Sequence, residues 1–198
     1  MDAAHRDALR AWREDPRDPE AYAALVAACR RGGEPLPPEA DPETLIETLT
    51  RRALEVYRED ERGDHAHYAA WGRVGAADPD LDTLRRAHRS LFRPSAELFV
   101  FGCHAVRSRA PCGGLLFPCF NGDLDRPRFH VDLDNAERER FRALDQAGAA
   151  LLESLPGART YRVEVEHLPQ PVDLVWSLDY LIEVPAVRES YLLVVQYT

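Results

Sequence analysis

Thiols and imidazoles concentrate between Cys103 and His130, where three of the four cysteines (Cys103, Cys112, Cys119) and two of the seven histidines (His104, His130) fall. At neutral pH these side chains ligate transition metals, or act as nucleophile and base. Zinc is one such chemistry. Structural zinc sites present ligand pairs two to four residues apart, because a tetrahedron needs two thiolates converging from one tight turn. Here eight residues separate Cys103 from Cys112, six separate Cys112 from Cys119, and ten separate Cys119 from His130. Cys103, Cys112, Cys119 and His130 could therefore enclose an ion only if neighbouring strands brought them together. In an extended chain Cys103 and His104 point to opposite faces, which hinders both from ligating. The competing reading is that the cysteines are small buried hydrophobes.

A cysteine nucleophile is the second chemistry. Cys112 lies in Ala110-Pro111-Cys112-Gly113-Gly114, where a glycine-rich turn could expose the sulfur and offer backbone amides to an oxyanion, with His104 or His130 as base. A plain loop between two strands explains the same residues. A third grouping, Arg128, His130, Asp132, Arg162, Glu164, Glu166 and Asp179, falls on the polar phase of alternating segments and predicts a solvated sheet face. Under a covering of helices, His130 with Asp132 or Glu164 would become an acid–base pair. His65-Ala66-His67 reads as helical, and residues two apart on a helix point away from each other. No G-x-S-x-G, H-E-x-x-H, dinucleotide glycine fingerprint or calcium loop occurs, and the expectation is a non-enzyme without a cofactor.

The elements that would position these groups divide at about residue 92. Residues 1–92 read as a helical region, with helices near 3–14, 19–31, 42–60, 65–75 and 79–91. Asp18-Pro19, Asp41-Pro42 and Asp78-Pro79 serve as start signals, since aspartate caps a first-turn amide and proline at the first helical position loses no hydrogen bond. Gly32-Gly33 stops the second helix, and Pro35-Leu36-Pro37-Pro38 is a stiff link. Leu45, Leu49, Ala53 and Val56 form one apolar stripe on the third.

Residues 95–198 read as an α+β sheet region. Candidate strands are Glu97–Ala105, Leu115–Phe120, Arg128–Leu133, Tyr161–His167, Asp173–Val184 and Tyr191–Tyr197. One long helix starts at Asp134, with Glu137 completing a capping box, and ends at Leu155-Pro156-Gly157. Alternation of Tyr161, Val163 and Val165 against Arg162, Glu164 and Glu166 predicts a mainly antiparallel sheet with one packed and one wet face. The predicted fold class is α+β: a helical N-terminal region packed on that sheet.

The segment Leu9–Pro35, with Asp15-Pro16-Arg17-Asp18 joining two helices and Cys29-Arg30-Arg31-Gly32-Gly33-Glu34-Pro35 closing the second, resembles the short repeat-companion domain found at the start of some bacterial proteins. It also looks like a single tetratricopeptide hairpin. The former family's Ala-Asp-Trp-Leu core is replaced here by Ala27-Ala28-Cys29-Arg30. Either resemblance implies a helical interaction module and no chemistry.

Composition narrows the classes further. Every one of the 25 basic residues is arginine, which excludes a Schiff-base lysine and the lysines of phosphate-binding loops and kinases, and suggests a GC-rich bacterial genome. The formal net charge is −9, with 15 Arg against 19 acidic residues in 1–95 and 10 against 15 in 96–198. Neither half offers the basic tract by which nucleic-acid binders release counterions. The start Met1-Asp2-Ala3-Ala4-His5-Arg6 is charged, and the longest stretch free of Asp, Glu and Arg, Ala110–Gly122, is too short for a bilayer. These readings together predict a non-catalytic, cytoplasmic bacterial protein-binding module, an adaptor or immunity-type protein, without nucleic-acid or membrane partners. A small enzyme built on Cys112 or a Cys/His metal site, and a small-molecule sensor with an apolar pocket between helices and sheet, are the alternatives.

Overall fold

The computed structural model describes residues 2–58, 67–91, 104–111, 135–167 and 176–197. Helix α1 spans Ala3–Glu14, and the Asp2 carboxylate caps it by accepting from the His5 amide at 2.8 Å. Helix α2, Pro19–Gly32, opens on Asp18, which accepts from Glu20 N at 2.9 Å. It closes at Gly33, whose φ of 65° lets its own amide and that of Glu34 return to the carbonyls of Arg30 and Cys29. Helix α3, Pro42–Arg58, opens on Asp41, whose carboxylate accepts from both the amide and the hydroxyl of Thr44. Ile46, Leu49 and Ala53 are its residues in the main core, with Leu45 and Val56 partly covered beside them.

Among the described residues, five antiparallel strands follow: β1 His67–Ala76, β2 His104–Pro111, β3 Arg159–His167, β4 Trp176–Val184 and β5 Glu189–Tyr197. Their order is β1-β5-β4-β3-β2. The strands expected over Leu115–Phe120 and Arg128–Leu133 lie outside the described residues. Helix α4, Leu81–Leu91, lies between β1 and β2 in sequence, and α5, Asn135–Ser154, precedes β3. The fold is α+β, with the N-terminal helices and the 20-residue α5 on an antiparallel sheet.

Three expectations are corrected. Residues 65–75 were expected to be helical, but 67–76 form β1, so the region 1–92 is not all helix and supplies an edge strand to the sheet of the second region. β5 is apolar in both phases and needs a neighbour on each side, and pairing from His67↔Tyr197 to Ala76↔Glu189 overrides a locally helical pattern. Helix α4 starts two residues late. Asp78 takes a left-handed φ of 60° as the chain leaves β1, and Asp80 caps instead, accepting from Thr83 N at 2.7 Å. Ala110 and Pro111, placed in the Cys112 loop, belong to β2, His104–Pro111, while residues 97–103 of the strand expected over Glu97–Ala105 lie outside the described residues.

The one-wet-face expectation is also overturned. Tyr161 pairs with Leu181 and Arg162 with Tyr180, so the apolar phase of β3 shares a face with Leu181, not with Tyr180 and Ile182. Tyr180, Ile182, Val184, Tyr191, Leu193 and Val195 pack under α1, α2, α3 and α5, whereas Val163, Leu181, Leu192 and Val194 pack with Leu84 of α4 on the reverse side. The central strands are buried on both faces, and the described residues form three layers. Helix α4 touches both edge strands, β1 and β2, as well as β5, so the sheet curves about it. At Gly72 of β1 an added Cβ would stand 3.0 Å from Leu91, so the close approach of α4 favours glycine.

Candidate functional site

Three arrangements in the described residues bring reactive side chains together. The first is a histidine–aspartate pair. His88 follows Leu84 by four residues, so both turn from α4 toward the sheet, and Asp179 shares a strand face with Leu181. His88 Nε2 lies 3.1 Å from Asp179 Oδ2, with the two side chains 2% and 1% exposed. Asp179 was expected on a wet face and is instead sealed under a helix. A carboxylate against an imidazole is the orienting half of many acid–base sites, yet here both side chains are buried. The arrangement ties α4 to the central strand.

The second is a polar cleft of about 210 Å³ where α2 and the start of α3 meet β1 and β5. Its centre is Arg73. The guanidinium donates through Nε to Glu43 Oε1 at 3.0 Å, contacts the same carboxylate through Nη2, and pairs through Nη1 with Glu189 at 3.2 Å. The Tyr191 hydroxyl donates to Glu189 Oε2 at 2.7 Å. Arg30, on the cleft wall, donates to the Val187 carbonyl in the β4–β5 turn. Nearby, the indole N–H of Trp71 donates to Glu47, a further link between β1 and α3. These links cross-brace helices and sheet. The cleft is polar and open, not the deep apolar cavity foreseen for a sensor.

In the third, among the described residues, a thiol and an imidazole meet. Cys29 Sγ lies 3.7 Å from His5 Nε2 between α1 and α2, both side chains being buried. Burial, and secondarily the charge of Glu34, push the Cys29 thiol above its ordinary value, so it is held as SH and is a poor nucleophile. The signal for this contact was present: His5 and Trp12 form one stripe of α1, and in an antiparallel hairpin the first turn of α1 faces the last turn of α2.

Of the candidates from the sequence, Cys103, Cys112, Cys119, His130, Arg128 and Asp132 lie outside the described residues, as does His65. His104 opens β2 opposite His167, and His67 opens β1. Arg162 is exposed as expected. Among the described residues, no group of three or more His, Cys, Asp or Glu side chains could hold a metal ion. No described helix is long and apolar enough to cross a membrane.

The buried phenols supply a pH test. Tyr191 is raised by burial and by donation to Glu189, and Tyr22 by burial and the charge of Asp41, so with Cys29 they keep their protons in the folded state to higher pH than in the unfolded chain. Their contribution is complete below the ordinary values, 9.0 for the thiol and 10.0 for the phenols. Above these the unfolded state binds fewer protons, and stability falls as pH rises. The two phenols alone should remove about 1–2 kcal/mol by pH 10.5. Thermal melts from about pH 8 to pH 10.5 check this, and a midpoint that does not fall would contradict the burial of these groups.

The chain matches no protein-family model, no curated protein and no solved structure.

Proposed function

We propose that the protein is a non-catalytic binding module of the adaptor or immunity type, which engages a protein partner through the α1–α2 hairpin. The observation that carries this reading is the division of labour within the hairpin. Its inner residues Trp12, Tyr22, Leu25, Val26 and Cys29 are built into the main core, while Ala23, Ala24 and Ala27 of α2 and Arg10 and Arg13 of α1 are exposed. Small side chains bring a partner close to the helix, arginines supply polar contacts, and a face fixed to a rigid core loses little entropy on binding. The described reactive groups point the same way, because His88, Asp179 and Cys29 are sealed and Arg73 is committed to two carboxylates.

Site-specific photocrosslinking tests the proposal. A photoreactive amino acid replacing Ala27 or Ala11 should give a discrete crosslinked protein band in the cells that make the protein, and one replacing the exposed Ala143 of α5 should not. Equal, diffuse labelling at all three positions would reject the hairpin as a partner surface.

A further inference from the structure

We infer that the outer face of α1 is a docking groove for an acidic, leucine-bearing segment of a partner protein. This deepens, and rests on, the binding reading above. Arg6, Leu9, Arg10 and Arg13 recur at i, i+3, i+4 and i+7 and so form one stripe. With Glu14 they line an open groove of about 330 Å³. Leu9 packs against the core from above and is half-buried, leaving an apolar surface between cations.

The guanidiniums of Arg10 and Arg13 are weakly committed. Arg10 approaches Asp7 only to 3.9 Å with its side chain 72% exposed, and Arg13 approaches Glu39 only to 3.8 Å while 61% exposed. Such long, water-screened pairs contribute little, so a carboxylate arriving with better geometry can replace them. In a chain of net charge −9 this stripe is a local reversal of sign, and charge complementarity selects an acidic occupant. An apolar side chain on that occupant would cover Leu9.

The dimensions favour a short protein segment over a polyanion or an anionic membrane. Arg6 to Arg13 spans about 10 Å of helix axis. Nucleic acids reward longer basic tracks through counterion release, and a membrane surface rewards a broad apolar face rimmed with cations. Here Asp7 borders the stripe and Glu14 closes one end. Two carboxylates one helical turn apart, flanking a leucine, match what remains.

The test uses the full chain and a short fluorescein-labelled helical peptide carrying glutamates one turn apart on either side of a leucine. Fluorescence anisotropy measures binding, and NMR shifts place it. The acidic peptide should bind, with shifts centred on Leu9, Arg10 and Arg13. Arg10→Glu/Arg13→Glu should weaken it by about tenfold or more, whereas Arg10→Lys/Arg13→Lys should retain most of the affinity. Both positions are exposed, and circular dichroism will verify that the variants fold. The inference is overturned if the acidic peptide does not bind, if its lysine counterpart binds equally, if charge reversal changes nothing, or if single-stranded DNA or phosphatidylserine vesicles bind more tightly. Crosslinks from Ala27 that survive charge reversal would reject the groove and leave the binding module standing. Loss of discrete crosslinks from every hairpin position in the unmodified chain would reject the module itself.

Discussion

His88→Ala is expected to destabilise the protein by about 3–5 kcal/mol, because it removes the imidazole facing a carboxylate that is 1% exposed. The cost arises from desolvation. In water Asp179 would be hydrated; beneath α4 its side chain is 1% exposed, and removing the imidazole takes away a hydrogen-bonding partner that bulk water does not replace. The paired replacement His88→Leu/Asp179→Val should recover most of that loss, since a buried hydrogen-bonded polar pair and a well-packed apolar pair often differ little in stability. Urea unfolding of the two single variants and the double variant measures the coupling directly. A His88→Ala variant within about 1 kcal/mol of the parent would mean that water reaches the pair, and that α4 does not seal the sheet.

Leu192→Ala and Leu193→Ala are expected to cost about 2–5 kcal/mol each. Successive residues on a strand face opposite ways, so these two report separately on the layers above and below β5. Leu193 belongs to the cluster under α1, α2, α3 and α5, and Leu192 to the cluster under α4, and both are fully buried. Truncation leaves a cavity on either side, because close-packed neighbours relax only partly. A sheet with one solvated face would give a large loss for one substitution and a change within about 0.5 kcal/mol for the other. The two unfolding curves therefore decide between two layers and three.

The parts of the fold legible in the sequence are those whose causes lie within a few residues. Asp18-Pro19 and Asp41-Pro42 mark helix starts because the capping bond forms between neighbours, and Gly33 marks a stop because the required backbone conformation belongs to that residue alone. The apolar runs of β4 and β5 likewise announced strands. Residues 67–76 were not legible, since Tyr68-Ala69-Ala70-Trp71 suits a helix as well as a strand; only the unfilled edge of β5, more than a hundred residues away, makes it β1.

The candidate sites divide along the same line. Residue type drew attention to Cys103, Cys112, Cys119 and His130, whereas the contacts the structure describes, His88 with Asp179 and His5 with Cys29, join residues separated by 91 and 24 positions. Asp179 between Leu178 and Tyr180 reads as the polar phase of a half-buried strand, and nothing nearby announces the histidine that covers it. By itself the sequence determined helices α1, α2 and α3, the antiparallel class of the sheet, the net charge and the absence of lysine chemistry, because each follows from composition or from bonds between close neighbours. Tertiary structure alone decided which edge β1 would fill, that α4 would bury the second face, and which ionisable groups would meet. Those outcomes depend on packing and desolvation between distant segments, and such energies do not exist until the chain has closed on itself.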